Sequence, residues 1–391
     1  MPSLSRSSFG IIRPYPMYTL RFILALFLVV AVLSPTATYG ESAIEPTIRI
    51  GLLTALSGYA VQQGTECRQA FELAKGIYAP GDKLHGYRLE YSIGDAQRKA
   101  GPALSEFNKL ATIQRVHLVV LDGSPVGMAV NPISLEREIP IIGVVGHHRF
   151  VSENDYAFRA WPAAQEEGRV MAQKLEQDGK KRIALLTTED DWTLAIRNIL
   201  LESFNQSDTA IVYDQQILGE EKDFSSYVAR VRSKEPDAIF LNLVTGQPGV
   251  ALKKMRELRV NTPVYGTYFT GRSDELKLAG QAAEGLLITE IDFPAEKLNS
   301  MAHEVGMREP IATAVSYNCY VAFAWTAEAI KRLSRGTKLT GPELRTALLE
   351  VHSLSVLGDT LQVKDREVSY PFVYKQVING ALVAQKSVSL R

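Results

Sequence analysis

The sequence predicts an α/β protein built from two doubly wound, Rossmann-like lobes that face each other across a cleft. Three observations predict it. Short β-branched runs alternate with amphipathic helical segments, which is the pattern of parallel sheets covered by helices. That pattern runs once up to Val145 and restarts at Ile183. After an N-terminal leader about 350 residues remain, more than one ordinary core can organise.

The leader comes first. Arg6, Arg13 and Arg21 give a positive segment, Phe22 to Leu33 a short apolar run, and Ser34 to Gly40 a polar, mostly small stretch. Together they form a secretory signal over residues 1–40. The apolar run is short for a membrane span, and an uncleaved N-terminal anchor is the alternative reading. Met17 is an alternative start. No Cys follows the run, which argues against a lipid anchor. No later apolar stretch approaches about 18 residues, so no stable membrane insertion is expected once the leader is removed.

The first unit then reads in order. Strands are expected at Ile48–Leu53, Arg88–Ile93, Val116–Leu121 and Pro140–Val145. Helices are expected from Thr65 to Tyr78, at Pro102–Ile113 and at Met128–Arg137. The second unit alternates Ile183–Leu186, Ala210–Gln216, Ala238–Leu243, Pro263–Thr267 and Gly285–Thr289 as strands with helices at Trp192–Phe204, Phe224–Lys234 and Gly249–Leu258. A long helix follows at Ala314–Leu333 and a shorter one at Pro342–Val351. The end is β-rich, with Thr360–Val363, Pro371–Gln376 and Leu382–Val388. Lobe 1 is expected to hold 44–160 and 292–355, and lobe 2 to hold 161–291 and 356–391. The chain would cross between them near Ala160-Trp161-Pro162, Glu290-Ile291-Asp292 and Ser355-Val356-Leu357. The fixed φ of Pro162 suits a stiff crossing.

Composition narrows the function. Lys plus Arg and Asp plus Glu both count 43, so net charge is zero and nucleic acid is not the expected partner. Cys67 and Cys319 are the two cysteines. An oxidising compartment permits a disulfide between them, and two buried thiols are the alternative. Their spacing carries no metal signature. His147-His148 has no third ligand at useful spacing, so no metal or cofactor is expected.

The opening Ile50-Gly51-Leu52-Leu53 with Leu56-Ser57-Gly58 resembles a known family, and so do Gly219-Glu220-Glu221-Lys222-Asp223-Phe224-Ser225, Pro236-Asp237-Ala238-Ile239 and Ala282-Ala283-Glu284-Gly285-Leu286-Leu287-Ile288-Thr289. In order and spacing these segments resemble the type I periplasmic solute-binding proteins of ABC importers, in the leucine/isoleucine/valine-binding branch. The resemblance covers nearly all of the chain after the leader. It implies a periplasmic location, a small-molecule ligand held between lobes that close about a hinge, and the permease of an ABC importer as partner.

The resemblance also implies a site. Ser124, just after the third strand, matches the serine that holds the ligand carboxylate; a simple helix cap is the other reading. Val145 and His147 match a backbone carbonyl and a threonine. A His at 147 would make binding pH-sensitive near pH 6 to 7. Trp192 matches the aromatic lid, with a packed surface aromatic as the other reading. A family tyrosine falls near Val244 or Thr245. Gln63 replaces an aromatic wall, and Tyr59 is placed near the same rim. The sharpest departure is Tyr268, where amino-acid binders carry an acid that pairs with the ligand ammonium. A phenol gives no full counter-charge. A carboxylate without an amine, an amide or an apolar metabolite is therefore expected, unless Glu66, Asp122, Glu189 or Asp191 supplies a displaced acid.

No nucleophile, base or phosphate-loop constellation stands out, so an enzyme is not expected. The remaining alternative is a sensor that presents its closed form to a membrane receptor.

Overall fold

The strand β1 (Thr47–Thr54) is buried over most of its length and sits inside a parallel sheet, which explains its nearly unbroken apolar run. The computed structural model describes residues 46–388 except 206, 308–310 and 335–338, so the expected leader lies outside the described residues. After β1 the first lobe continues with β2 (Lys83–Leu84), β3 (Tyr87–Asp95), β4 (Leu118–Asp122), β5 (Ile141–Val144) and β6 (Ala157–Arg159). Helices α1 (Val61–Tyr78), α2 (Ala100–Thr112), α3 (Ser124–Glu136) and α4 (Arg149–Ser152) connect them. The second lobe follows as β7 (Arg182–Thr188), β8 (Ala210–Ile217), β9 (Ala238–Asn242), β10 (Val264–Gly266) and β11 (Leu287–Ile291). Its helices are α5 (Ala164–Gln177), α6 (Asp191–Phe204), α7 (Ser225–Ser233), α8 (Pro248–Glu257) and α9 (Ser273–Ala279). Then come α10 (Ala295–Glu304), α11 (Ala314–Ile330), α12 (Gly341–Leu349) and the strands β12 (Ser353–Val356), β13 (Asp359–Lys364), β14 (Glu367–Ser369), β15 (Phe372–Ile378) and β16 (Ala381–Val388).

Two sheets result. The first has the order β12-β13-β14-β6-β5-β4-β1-β3-β2, and the second β16-β15-β11-β10-β9-β7-β8. Both are parallel at the centre and acquire antiparallel strands toward an edge. One expectation needs correction. Strands β13 and β14 belong to the first sheet, so the third passage between lobes falls at Tyr370-Pro371 and not near Ser355-Val356-Leu357. The alternation of β13 gives a strand with one buried face; that period identifies a strand but not the sheet it joins.

Local sequence explains the helices that matter for the site. In α1, a Cβ at Gly64 would come within 1.8 Å of the Ala55 carbonyl oxygen, so only glycine lets this helix pack onto the end of β1. Helix α6 starts at Asp190, whose carboxylate accepts from the Trp192 N–H at 3.0 Å. Helix α11 starts at Thr313, which accepts from Ser316 N–H. It is buried on nearly every residue and packs against α1, α12, β4 and β5 in lobe 1. An apolar helix with no polar face is expected for such a fully enclosed position.

Cys67 on α1 and Cys319 on α11 are both fully buried and form a disulfide, with Cα atoms 5.3 Å apart. This settles the open alternative in favour of the bond. The loop it closes spans 252 positions, so it constrains the unfolded chain strongly. Cys67→Ala with Cys319→Ala is expected to lower unfolding free energy by about 2–5 kcal/mol, read by urea denaturation. An unchanged midpoint would contradict this.

Candidate functional site

The apolar core of lobe 1 does not stop at the cleft. It continues through Trp161, Trp192, Tyr268 and Phe269 into lobe 2 as one contiguous cluster. The four rings interlock. Trp161 lies 5.1 Å from Tyr268, Trp192 lies 5.3 Å from Phe269, and Tyr268 lies 4.1 Å from Phe269, between ring centroids. A Cβ at Gly146 would meet Trp192 Cδ1 at 2.2 Å, so glycine is required for this indole to reach lobe 1. Beside the rings is a cavity of about 20 Å³ lined by Gln63, Arg98, Gly123, Ser124, Val144, Gly146, Trp161, Trp192, Tyr268 and Phe269. That is room for about one water, so the two lobes are shut on each other.

Two buried ion pairs cross the cleft. Arg98, in the turn after β3, donates through Nε to Asp190 at 3.0 Å, and the two side chains are 4% and 1% exposed. Arg272, in the turn before α9, donates to both Glu66 oxygens at 2.9 and 2.6 Å. Thr313 adds a hydroxyl donor to the same carboxylate at 3.0 Å. Both guanidinium groups have pKa values raised further, by these carboxylates acting against burial. An exposed third pair, Lys99 with Glu220 at 3.5 Å, contributes little in comparison.

Of the residues singled out from sequence, Ser124, Trp192, Tyr268 and Gln63 line the cavity. Ser124 is buried and accepts from Gly146 N–H at 3.2 Å. It is the first residue of α3, whereas the capping position belongs to Gly123 at φ 96° with no side-chain cap, so the simple cap reading does not hold. Gln63 donates to Asp122, which also accepts from Thr54. Burial raises the Asp122 pKa against those hydrogen bonds and the nearby Arg98. Tyr59 is half-buried at the rim, against Gly219 of lobe 2, with its hydroxyl pushed up to about 12 chiefly by burial.

Three others have side chains outside the cavity lining. Val145, expected to act through its backbone carbonyl, follows β5 directly and packs its side chain into the lobe 1 core. Thr245 does not line the cavity, and its buried Oγ1 has no hydrogen-bond partner. His147 stacks on His148, 4.9 Å between centroids, and its Nδ1 accepts from Arg149 N–H. Burial, with His148, Arg149 and Arg159 nearby, pushes its pKa down to about 4, so the expected sensitivity near pH 6 to 7 is corrected: this ring stays neutral there. Among the acids named as replacements, Glu66 and Asp122 are already engaged, Glu189 is exposed and Asp191 is half-buried.

Sequence reasoning missed Arg98, Trp161, Phe269, Arg272 and Glu167. Arg98 sits in Asp95-Ala96-Gln97-Arg98, which reads as a solvated turn; a basic residue at the end of a parallel strand, where ligands gather, was the available signal. Glu167, in the first turn of α5, is buried against Trp161 and Trp192. Burial raises its pKa well above 4.5, the two indoles oppose that, and the neighbouring Glu166 adds to it. Trp192 Nε1 itself closes no hydrogen bond of ordinary geometry.

A family described as Periplasmic binding protein matches residues 47–381. The chain belongs to that family, within its leucine/isoleucine/valine-binding-like type I branch. It is similar to the leucine-specific-binding protein of Salmonella typhimurium, 24% identical over 261 residues that cover 64% of this chain and 68% of that one. In fold it is similar to a solute-binding protein of an ABC transporter from Rhodopseudomonas palustris in complex with 3,4-dihydroxybenzoic acid. The TM-score there is 0.78 at 19% identity, covering 88% of this chain and 97% of that one. It is also similar to a branched-chain amino acid transporter substrate-binding protein from Streptococcus pneumoniae in complex with isoleucine. That TM-score is 0.76 at 19% identity, covering 88% and 99%.

The burial of Glu167 generates a pH prediction. Above 4.5 the unfolded chain ionises this carboxyl while the folded chain retains the proton, so its contribution to stability falls as pH rises. Glu167→Gln removes that dependence. The variant's stability relative to the parent is expected to climb with pH above 4.5, by at most about 1.4 kcal/mol per pH unit, in denaturant titrations. A difference independent of pH would contradict it.

Proposed function

We propose that this protein is secreted to the periplasm, captures a small organic solute between its two lobes by hinge closure, and delivers it to an ABC importer. The observation that carries the reading is a buried cavity between the lobes, walled by aromatic rings on one side and by Gln63, Ser124 and Arg98, whose Nη1 has no partner. A buried donor left unpaired costs about 1–3 kcal/mol, and a ligand that accepts from it recovers that loss. Membership of the periplasmic binding protein family supports the location and the importer. Among the described residues no helix is long and apolar enough to cross a membrane.

Similar folds hold isoleucine in one case and 3,4-dihydroxybenzoic acid in another. The ligand class here is accordingly an amino acid, a carboxylate or an amide, held by Ser124 and Arg98 on lobe 1 and closed over by Trp192 and Tyr268. The ion pairs favour the closed form even without ligand, so the lobes open transiently, lobe 1 binds first, and reclosure gains the contacts that only the closed form offers.

A thermal-shift screen of amino acids, amides, aromatic and aliphatic carboxylates and apolar metabolites tests the reading. A ligand at about 100 times its Kd adds about 2.7 kcal/mol, a shift of a few degrees. Ser124→Ala is expected to weaken that ligand by about 1–3 kcal/mol. A panel without any hit, or a hit indifferent to Ser124→Ala, would count against the site.

A further inference from the structure

We infer that Arg98 selects the ligand class of this cleft, and that the class is a carboxylate without an amine. The inference rests on the capture reading above and narrows it.

Three observations converge at one spot. First, Arg98 is buried; its Nε donates to Asp190 and the Tyr59 hydroxyl lies beside the guanidinium, yet Nη1 is left with no acceptor at hydrogen-bond geometry. Second, that Nη1 lies 3.3 Å from the point where a Cβ on Gly123 would stand, and both residues line the cavity. Third, Gly123 precedes the first turn of α3, a helix of thirteen residues that begins Ser124-Pro125 at the cavity wall. In that first turn only the Ser124 and Val126 N–H groups lack an intrahelical acceptor, since Pro125 has no N–H and Gly127 N–H reaches the Gly123 carbonyl; the helix dipole favours negative charge there. The Ser124 hydroxyl oxygen takes the Gly146 N–H, so its own proton remains available as a donor. The donors therefore converge, and what they lack is an acceptor with several lone pairs. A carboxylate supplies two oxygens and is the natural partner of a planar guanidinium.

The acids are arranged the other way. Asp190 is taken by Arg98 and by the Trp192 N–H. Asp122 is taken by Thr54 and Gln63. Glu66 is taken by the Arg272 fork and Thr313. Glu167 does not line the cavity; it lies against the indoles of Trp161 and Trp192, and its burial favours the neutral carboxyl. An ammonium in this cavity would meet no free carboxylate, and a buried unpaired charge is strongly disfavoured. Any ligand larger than its head group has to displace part of the ring cluster, and a flat or apolar body replaces a ring with the least loss of contact.

Calorimetry on the purified protein with two matched pairs of probes tests this. Isocaproate and leucine differ by the amine, and benzoate and benzamide differ by the charge. At least one acid is expected to bind one to one and at least tenfold more tightly than its partner. Arg98→Lys keeps a cation for Asp190 but removes the fork, and is expected to cost the acid tenfold or more while the ligand-free melting temperature moves by only a few degrees. Leucine or benzamide binding as tightly as the matching acid, or Arg98→Lys leaving the acid unaffected, overturns the inference and leaves the capture reading intact. The same holds if both acids are silent while another small molecule raises the melting temperature. If no small molecule binds, both fall.

Discussion

The structure depends on charges that the protein itself carries across the cleft. Arg98 with Asp190, and Arg272 with Glu66, join the lobes through buried contacts at hydrogen-bonding distance. Removing four charged groups from water costs several kcal/mol for each ion, and only close geometry with extra hydrogen bonds offsets it. The Arg272–Glu66 pair meets that condition on both sides, and the Arg98–Asp190 pair on the Asp190 side, Arg98 Nη1 being left without an acceptor. Glu66 receives two guanidinium bonds and a hydroxyl, and Asp190 receives a guanidinium bond and a backbone N–H. A zwitterionic ligand brings two opposite charges into such a cleft. Here the protein's own side chains already bridge it with opposite charges, and aromatic rings occupy most of the remaining space.

These pairs also fix the site around them. Asp190 caps α6 and thereby sets where Trp192 enters the cleft. The disulfide next to Glu66 ties α1 to α11, and the residue that begins α11, Thr313, returns a hydrogen bond to Glu66. One anchor of closure is thus held by a covalent bond, a helix cap and an ion pair together. The position at 268 follows from the same economy of charge. With both acids spoken for by arginines, Tyr268 contributes a ring to the cluster and not a counter-charge; burial raises its hydroxyl pKa well above the ordinary range.

Much of this was legible in the sequence because its physical cause is local. The fully apolar Leu118-Val119-Val120-Leu121 can only be an interior strand, and it is. Ser124, Gln63, Trp192 and Tyr268 were placed by resemblance, and all four line one cavity. The illegible part is non-local. Arg98 is 92 positions from Asp190, and Arg272 is 206 from Glu66, so nothing near either residue indicates that it is buried. Helix α5 went unread beside the crossing at Trp161-Pro162, where a polar first turn with Glu166 and Glu167 hides a buried face. Strand β13 was read as a strand and assigned to the wrong lobe, since alternation does not encode a partner, and the three-residue β14 went unread.

Arg98 with Asp190 and Arg272 with Glu66 hold the lobes shut. The most direct measurement is the distance between spin labels, one on each lobe, in ligand-free protein, for the parent and for Arg272→Met. A short, narrow distribution is expected in the parent and a longer, broader one in the variant. A broad, open distribution in the parent, or an unchanged one in Arg272→Met, would contradict it.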